Sequence, residues 1–218
     1  VLILASNSPR RRQLLALGNW MFNVIVADVD ETPFPGEKPA DYVRRLAEAK
    51  ARAVVGLARP NHIIVAADTA VVDSDRILGK PADMAEAASM LKQLRGRIHQ
   101  VHTGIAALRV SDGQLLTDLC VTDVPMRNYS DQEIESYVFS GDPLDKAGAY
   151  AIQHAGFKPV EELRGCYASV MGLPLCHLVR VMAKIGVYPS VNLPIACQTM
   201  LQYPCPVSRA ILRGEQVG

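Results

Sequence analysis

No apolar run in this chain extends much beyond about ten residues before charge, Gly or Pro interrupts it, whereas a membrane-crossing helix needs roughly 20. Nor does either sign of charge dominate. Lys+Arg number 23 and Asp+Glu 22, a formal charge of +1, so the chain has no global field to draw in nucleic acid or an anionic membrane, and any anion it recognises must be met locally. The five cysteines, Cys120, Cys166, Cys176, Cys197 and Cys205, include no CxxC pair. Their odd number and wide spacing argue against a disulfide framework and a zinc site, and fit a reducing cytoplasm. The start VLILASNSP has no basic residue ahead of its apolar run and does not resemble a secretion signal. Nucleophile elbows (GxSxG) and dinucleotide loops (GxGxxG) are missing. Lys80 follows Gly79 as in a P-loop, but position 74 is Ser74 and no Ser or Thr follows the lysine. His99 and His102 stand three apart in an expected strand, facing opposite ways, which disfavours a shared metal.

What is present is an alternation of strand and helix signals around one hairpin. Residues 1–5 read as a buried strand, and Ser8 with Pro9 provides an N-cap and first-turn proline for a helix closed by Gly18. FNVIVADV (22–29) reads as a second strand, a proline-rich loop follows, and apolar spacing predicts a helix from about 40 to 57. HIIVAADTAVV (62–72) is a β-branched run broken once by Asp68-Thr69. Asp83 with Glu86, and Ser130 with Glu133, spell capping boxes. Residues 98–110 and 115–127 flank the turn SDGQ, the clearest hairpin signal in the chain. Residues 141–153 read as a polar loop entering a strand, and 173–186 as a last amphipathic helix. The remainder, 187–218, has four prolines and no sustained period; it reads as an extension packed loosely or against a partner. The expectation is α/β, with a mixed twisted sheet, flanking helices and a central cleft, in one unit over 1–186.

A few polar residues stand where a simple fold would not put them. Three arginines (Arg10, Arg11, Arg12) at a helix start oppose the macrodipole, costing up to ~1 kcal/mol each unless an anion compensates. Ser6, Ser8 and the free N–H groups beside them suit a phosphate, although an ordinary solvated cap has the same residues. Asp68 interrupts an apolar strand and needs a partner or a metal. Asp30 and Glu31 follow a strand end, where they face a cleft or simply water. Lys50 falls on the apolar stripe of its helix, either snorkelling or functional. Lys146 and Gln153 lie in PLDKAGAYAIQ, readable as a surface lysine and a core amide.

Taken in order, the blocks LASNSPRR, DE at 30–31, EAKA, AADT, GKP, HQVHTG, PLDKAGAYAIQ and GLPL resemble the Maf family of nucleoside triphosphate pyrophosphatases over about residues 1–186. The resemblance implies a fold of the inosine triphosphatase (Maf/Ham1) type, often a homodimer. It also implies hydrolysis of a nucleoside triphosphate to the monophosphate and pyrophosphate with a divalent cation, Mg or Mn. By the same resemblance Asp68 is the proton acceptor and, with Glu31, holds the metal. Arg10, Thr69 and Gln153 resemble the discriminating trio of the subfamily acting on dTTP and UTP, more than that acting on 7-methyl-GTP. Ser6, Arg11, Lys50, Lys80 and Lys146 fall on the family's other substrate-binding positions. His154 departs from the family's glycine, and the tail after Gly186 has no counterpart in it. A nucleotide sensor in cell-division control is the alternative the same residues allow.

Overall fold

The computed structural model describes residues 1–218. Six strands form one sheet in the order β2-β1-β3-β5-β6, with β4 paired to β3. Strands β1 (Leu2–Leu4), β2 (Phe22–Val24) and β3 (Ile63–Asp73) run parallel; β4 (Arg76–Leu78) and β5 (Ile98–Arg109) are antiparallel to β3, and β6 (Leu115–Pro125) to β5. The sheet is therefore mixed, as the combination of helix crossovers and a hairpin requires.

Helix α1 (Pro9–Ala16) starts where expected, the Ser8 hydroxyl accepting from Arg11 N–H and Pro9 in the first turn. Helix α2 (Pro39–Ala53) lies across β3 and β5 on one face of the sheet, its buried stripe including Val43, Leu46, Ala47 and Lys50. The other face carries the larger core, built on α1, α3 (Met84–Leu94), α4 (Asp131–Phe139), α5 (Tyr167–Met171) and α6 (Leu175–Ala183). Gly104 decides how close α2 comes. A Cβ there would sit 2.5 Å from the Val43 carbonyl, so only glycine lets the helix backbone settle on the sheet.

Several expectations need correction. The second strand is three residues, not eight, because β1, its only neighbour, is itself three residues long. The second helix ends at Ala53, and a separate 3-10 turn covers Val55–Leu57. Residues 141–153 contain no strand; two 3-10 turns, Asp142–Asp145 and Ala147–Ala149, occupy the segment. The box at Asp83 is half made, since Glu86 accepts from Ala82 N–H rather than from the cap residue, whereas the Ser130–Glu133 box is complete. Helix α6 is not the last. Beyond it α7 (Leu193–Leu201) and α8 (Ser208–Leu212) seat on α6, with Leu193 and Cys197 in the main core, and Arg180 donates to the carbonyls of Ile211 and Glu215.

Candidate active site

The site is made by what the sheet leaves open. β1 stops at Leu4, paired with Val65, and β4 pairs β3 only from Val71, so the edge of β3 between them has no strand beside it. A cleft of about 460 Å³ occupies that gap. Because successive side chains on a strand alternate, Asp68 leaves this edge toward α2 and Thr69 toward α1 and α5. Both line the cleft.

Asp68 is opposite Gly104 in the β3–β5 register. The close approach of α2 permitted by that glycine brings Lys50 onto it, Lys50 Nζ donating to Asp68 Oδ1 at 2.6 Å. A second carboxylate, Glu31 Oε1 from the loop after β2, lies 2.7 Å from the same ammonium. Tyr42 on α2 anchors that loop by donating to the Glu31 carbonyl at 2.9 Å. Asp68 and Lys50 are only 6% and 8% exposed. Burial pushes the Asp68 carboxyl above the usual carboxylate range, against the opposing pull of Lys50 and Arg11. A carboxylate that is basic yet still partnered is what a proton acceptor requires. The lysine on the wrong stripe is thus not snorkelling: its ammonium stays inside, paired with two carboxylates.

On the other face Arg11 is half-buried and fully engaged. Its guanidinium donates to the Gly172 carbonyl (2.8 Å), to Thr69 Oγ1 (3.2 Å) and to Ser6 Oγ (3.4 Å). Gly172, at φ +111°, ends α5 in the left-handed region and leaves room for that contact, since a Cβ would lie 3.2 Å from Arg11 Nε. Burial lowers the Arg11 pKa from its ordinary value, with Asp68 pulling the other way.

Arg10, Lys80 and Gln153 line the same cleft, the last two exposed. Lys146 lines it as well but is not a free cation: its ammonium donates to Asp145 Oδ1 (2.6 Å), Asp142 Oδ1 (3.0 Å) and the Asp142 carbonyl (2.6 Å). It is 8% exposed, a buried clasp rather than the surface lysine its neighbourhood suggested. Ser6, Arg10, Arg11, Glu31, Lys50, Asp68, Thr69, Lys80, Lys146 and Gln153 all line this one cleft, whereas Arg12 and Asp30 do not: Arg12 is exposed on α1, and Asp30 accepts from Thr32 N–H in an exposed turn. Three residues were missed. Thr103, fully buried on β5, stands 3.0 Å from Thr69 Oγ1; Tyr150 forms cleft wall; Asp145 holds Lys146. Only the register of β5 against β3 places Thr103 beside Thr69, and the quoted HTG block was its sole trace in the sequence.

No group of three or more His, Cys, Asp or Glu side chains is arranged to hold a metal ion anywhere in the chain. The cleft offers two carboxylates, Glu31 and Asp68, converging on a single ammonium. That donor set suits a magnesium-like ion, which keeps several waters and takes its remaining ligands from substrate phosphates, rather than a dedicated protein cage. No helix is long and apolar enough to cross a membrane.

Comparison with known proteins agrees with the ordered blocks. The profile of the family described as Maf-like protein matches residues 1–185. A dTTP/UTP pyrophosphatase of Anaeromyxobacter dehalogenans is 46% identical over 187 residues, covering 85% of this chain and 94% of its own length. The enzymes of the same name from Geobacter sulfurreducens (46% over 186 residues, 85% and 96% covered) and Citrifermentans bemidjiense (44% over 185 residues, 85% and 95%) match equally well. Among solved structures, a HAM1 protein from Coxiella burnetii matches at a TM-score of 0.42 and 17% identity, over 71% of this chain and 88% of that one. With its family profile matched across the whole cleft-bearing region, the chain belongs to the Maf family.

Proposed function

We propose that the chain is a nucleoside triphosphate pyrophosphatase, a hydrolase that converts dTTP and UTP to the monophosphate and pyrophosphate. One observation carries the reading: cations from separate parts of the chain, Arg10, Arg11, Lys50 and Lys80, line one cleft with the buried carboxylate Asp68. The relatives named dTTP/UTP pyrophosphatase, spanned over 94–96% of their length, support the choice of substrate.

In this reading the triphosphate lies along the basic lining, and water attacks the α-phosphorus. The bond from that phosphorus to the oxygen bridging the β-phosphate breaks, and the electron pair leaves with pyrophosphate. Asp68 takes the proton from the attacking water, its carboxyl pushed toward neutrality by burial. Lys50 holds Asp68 ionised and oriented. Arg10, Lys80 and the N–H groups at the start of α1 meet the charge that builds on the leaving group. Lys146, already neutralised by Asp142 and Asp145, shapes the cleft wall in this scheme more than it supplies charge. Glu31 and Asp68 would hold a divalent cation, Mg or Mn, which when bound supplies Lewis-acid neutralisation of phosphate oxygens. Thr69 and Gln153 read the base. A homodimer and a cytoplasmic location belong to the same proposal, the location alone supported by cysteines that are all unpaired.

The test is a panel of dTTP, UTP, CTP, GTP, 7-methyl-GTP and ATP assayed with Mg for both products. Monophosphate and pyrophosphate in equal amounts from dTTP and UTP are expected. Release of orthophosphate and a diphosphate, or binding without turnover as for a sensor, would overturn the reading.

A further inference from the structure

Behind the cleft the hydroxyl groups form a chain that has one possible direction. Thr103 Oγ1 lies 2.9 Å from the Ser169 carbonyl, which can only accept, so the single Thr103 proton is committed there. Thr69 Oγ1 lies 3.0 Å from Thr103 Oγ1 and must therefore supply the proton between them. On its other side Thr69 accepts from Arg11 Nη2 at 3.2 Å, and a guanidinium only donates. Thr103 is fully buried, at 0% exposure, so no solvent competes for its hydrogen bonds. With its proton turned inward and one lone pair taken, Thr69 has only a second lone pair left for the cleft it lines.

We propose that Thr103 is a positioning residue that fixes Thr69 as an obligate hydrogen-bond acceptor, and that this polarity selects bases carrying an imide N–H over cytosine. The inference rests on the pyrimidine triphosphate reading above. Uracil and thymine present an N3–H donor, which pairs with the Thr69 lone pair. Cytosine presents an N3 lone pair, which meets another lone pair and stays unsatisfied. Gln153 cannot make this distinction, because its amide carries both a donor and an acceptor and can turn to suit either a carbonyl or an amine at position 4 of the ring. A hydroxyl free to rotate would be equally tolerant. Selectivity therefore resides in the buried threonine that stops the rotation.

The experiment measures kcat/KM for UTP and CTP in the wild type, Thr103→Val and Thr103→Ser. Valine keeps the shape and removes the relay, so the Thr69 proton is released to face the cleft. The UTP-to-CTP ratio is expected to fall by about tenfold to a hundredfold, the cost of an unsatisfied polar group, chiefly through opposite shifts in KM. Serine restores the ratio. A wild-type ratio in Thr103→Val, with both substrates slowed alike, would mark a merely structural role and overturn the inference while leaving the function standing. Equal turnover of UTP and CTP by the wild type would overturn this inference and leave the pyrimidine reading standing, whereas turnover of neither would overturn that reading. Thr103→Ala replaces the valine variant should that one fail to fold, with the same outcomes.

Discussion

Two lysines in this molecule are equally buried, 8% exposed each, and each sits between two carboxylates. Lys146 finds its partners within the 3-10 turn it directly follows, and the Asp145 side chain remains 75% exposed. Lys50 draws its partners from a loop and a strand remote in sequence, and its closest one, Asp68, is buried on all sides except the cleft. The first arrangement ties a short segment to itself, at little cost in chain entropy. The second joins three elements around a charge that water would otherwise stabilise, a costly arrangement kept where it faces the cleft. Identical burial and similar distances thus describe a local clasp in one case and a long-range cluster facing the cleft in the other; the source of the carboxylates tells them apart.

Breaking the long-range cluster should give the largest effect. Asp68→Asn removes the proton acceptor while keeping its size, and kcat for dTTP is expected to fall about 10²- to 10⁴-fold, with nucleotide affinity retained in a binding titration. Unchanged turnover would remove Asp68 from the mechanism. Lys50→Met leaves Asp68 buried without its main partner, so a loss of about 3–5 kcal/mol in urea unfolding is expected together with loss of activity. Adding Asp68→Asn to Lys50→Met should recover much of that stability but none of the turnover.

The clasp should respond more weakly. Lys146→Met strands only partly exposed carboxylates, which water can rescue, so about 1–2 kcal/mol is expected. If Lys146 acts by shaping the wall, KM should rise while kcat changes little. A fall in kcat as deep as that of Lys50→Met would erase the distinction between the two lysines.

The cleft-facing half of this comparison was legible in the sequence and the clasp was not. Asp68 interrupts a β-branched run and Lys50 falls on an apolar helical stripe, two local conflicts that each ask for a partner. Lys146 creates no such conflict. It lies in a polar segment whose burial comes from turns that period-based reading cannot see, and a strand was expected there instead. The tail was missed for a related reason. Its helices are too short for a period to build up, although Asn192 caps α7 by accepting from Ile195 N–H and Pro194 occupies the first turn. Thr103 was out of reach altogether, because its meaning depends on which residue stands across the sheet from it.

The cleft wall between the two lysines offers the finest test of the comparison. Tyr150 lines the cleft just beyond the Lys146 clasp, and its hydroxyl is held at 2.8 Å by His99 Nε2 of β5, the strand that also carries Gly104 opposite Asp68. His99 is buried, and burial lowers its pKa to about 4, with Asp73 and Arg97 opposing each other as lesser influences. An unfolded histidine titrates near 6.5, so between about pH 6.5 and 4 the unfolded chain binds the extra proton and stability drains away as the pH falls. From pH 7 to 5.5 the loss is about 1 kcal/mol, or a few degrees in Tm for a chain of this size. His99→Gln keeps a partner for Tyr150 but cannot titrate, and should flatten this part of the Tm profile. His102 is buried with its pKa lowered in the same direction and stays in place, so a residual slope is expected. If the slope were unaltered by His99→Gln, the acid sensitivity would belong to other groups, and the tie between β5 and the clasp side of the cleft would have to be a neutral hydrogen bond without consequence for stability in this range.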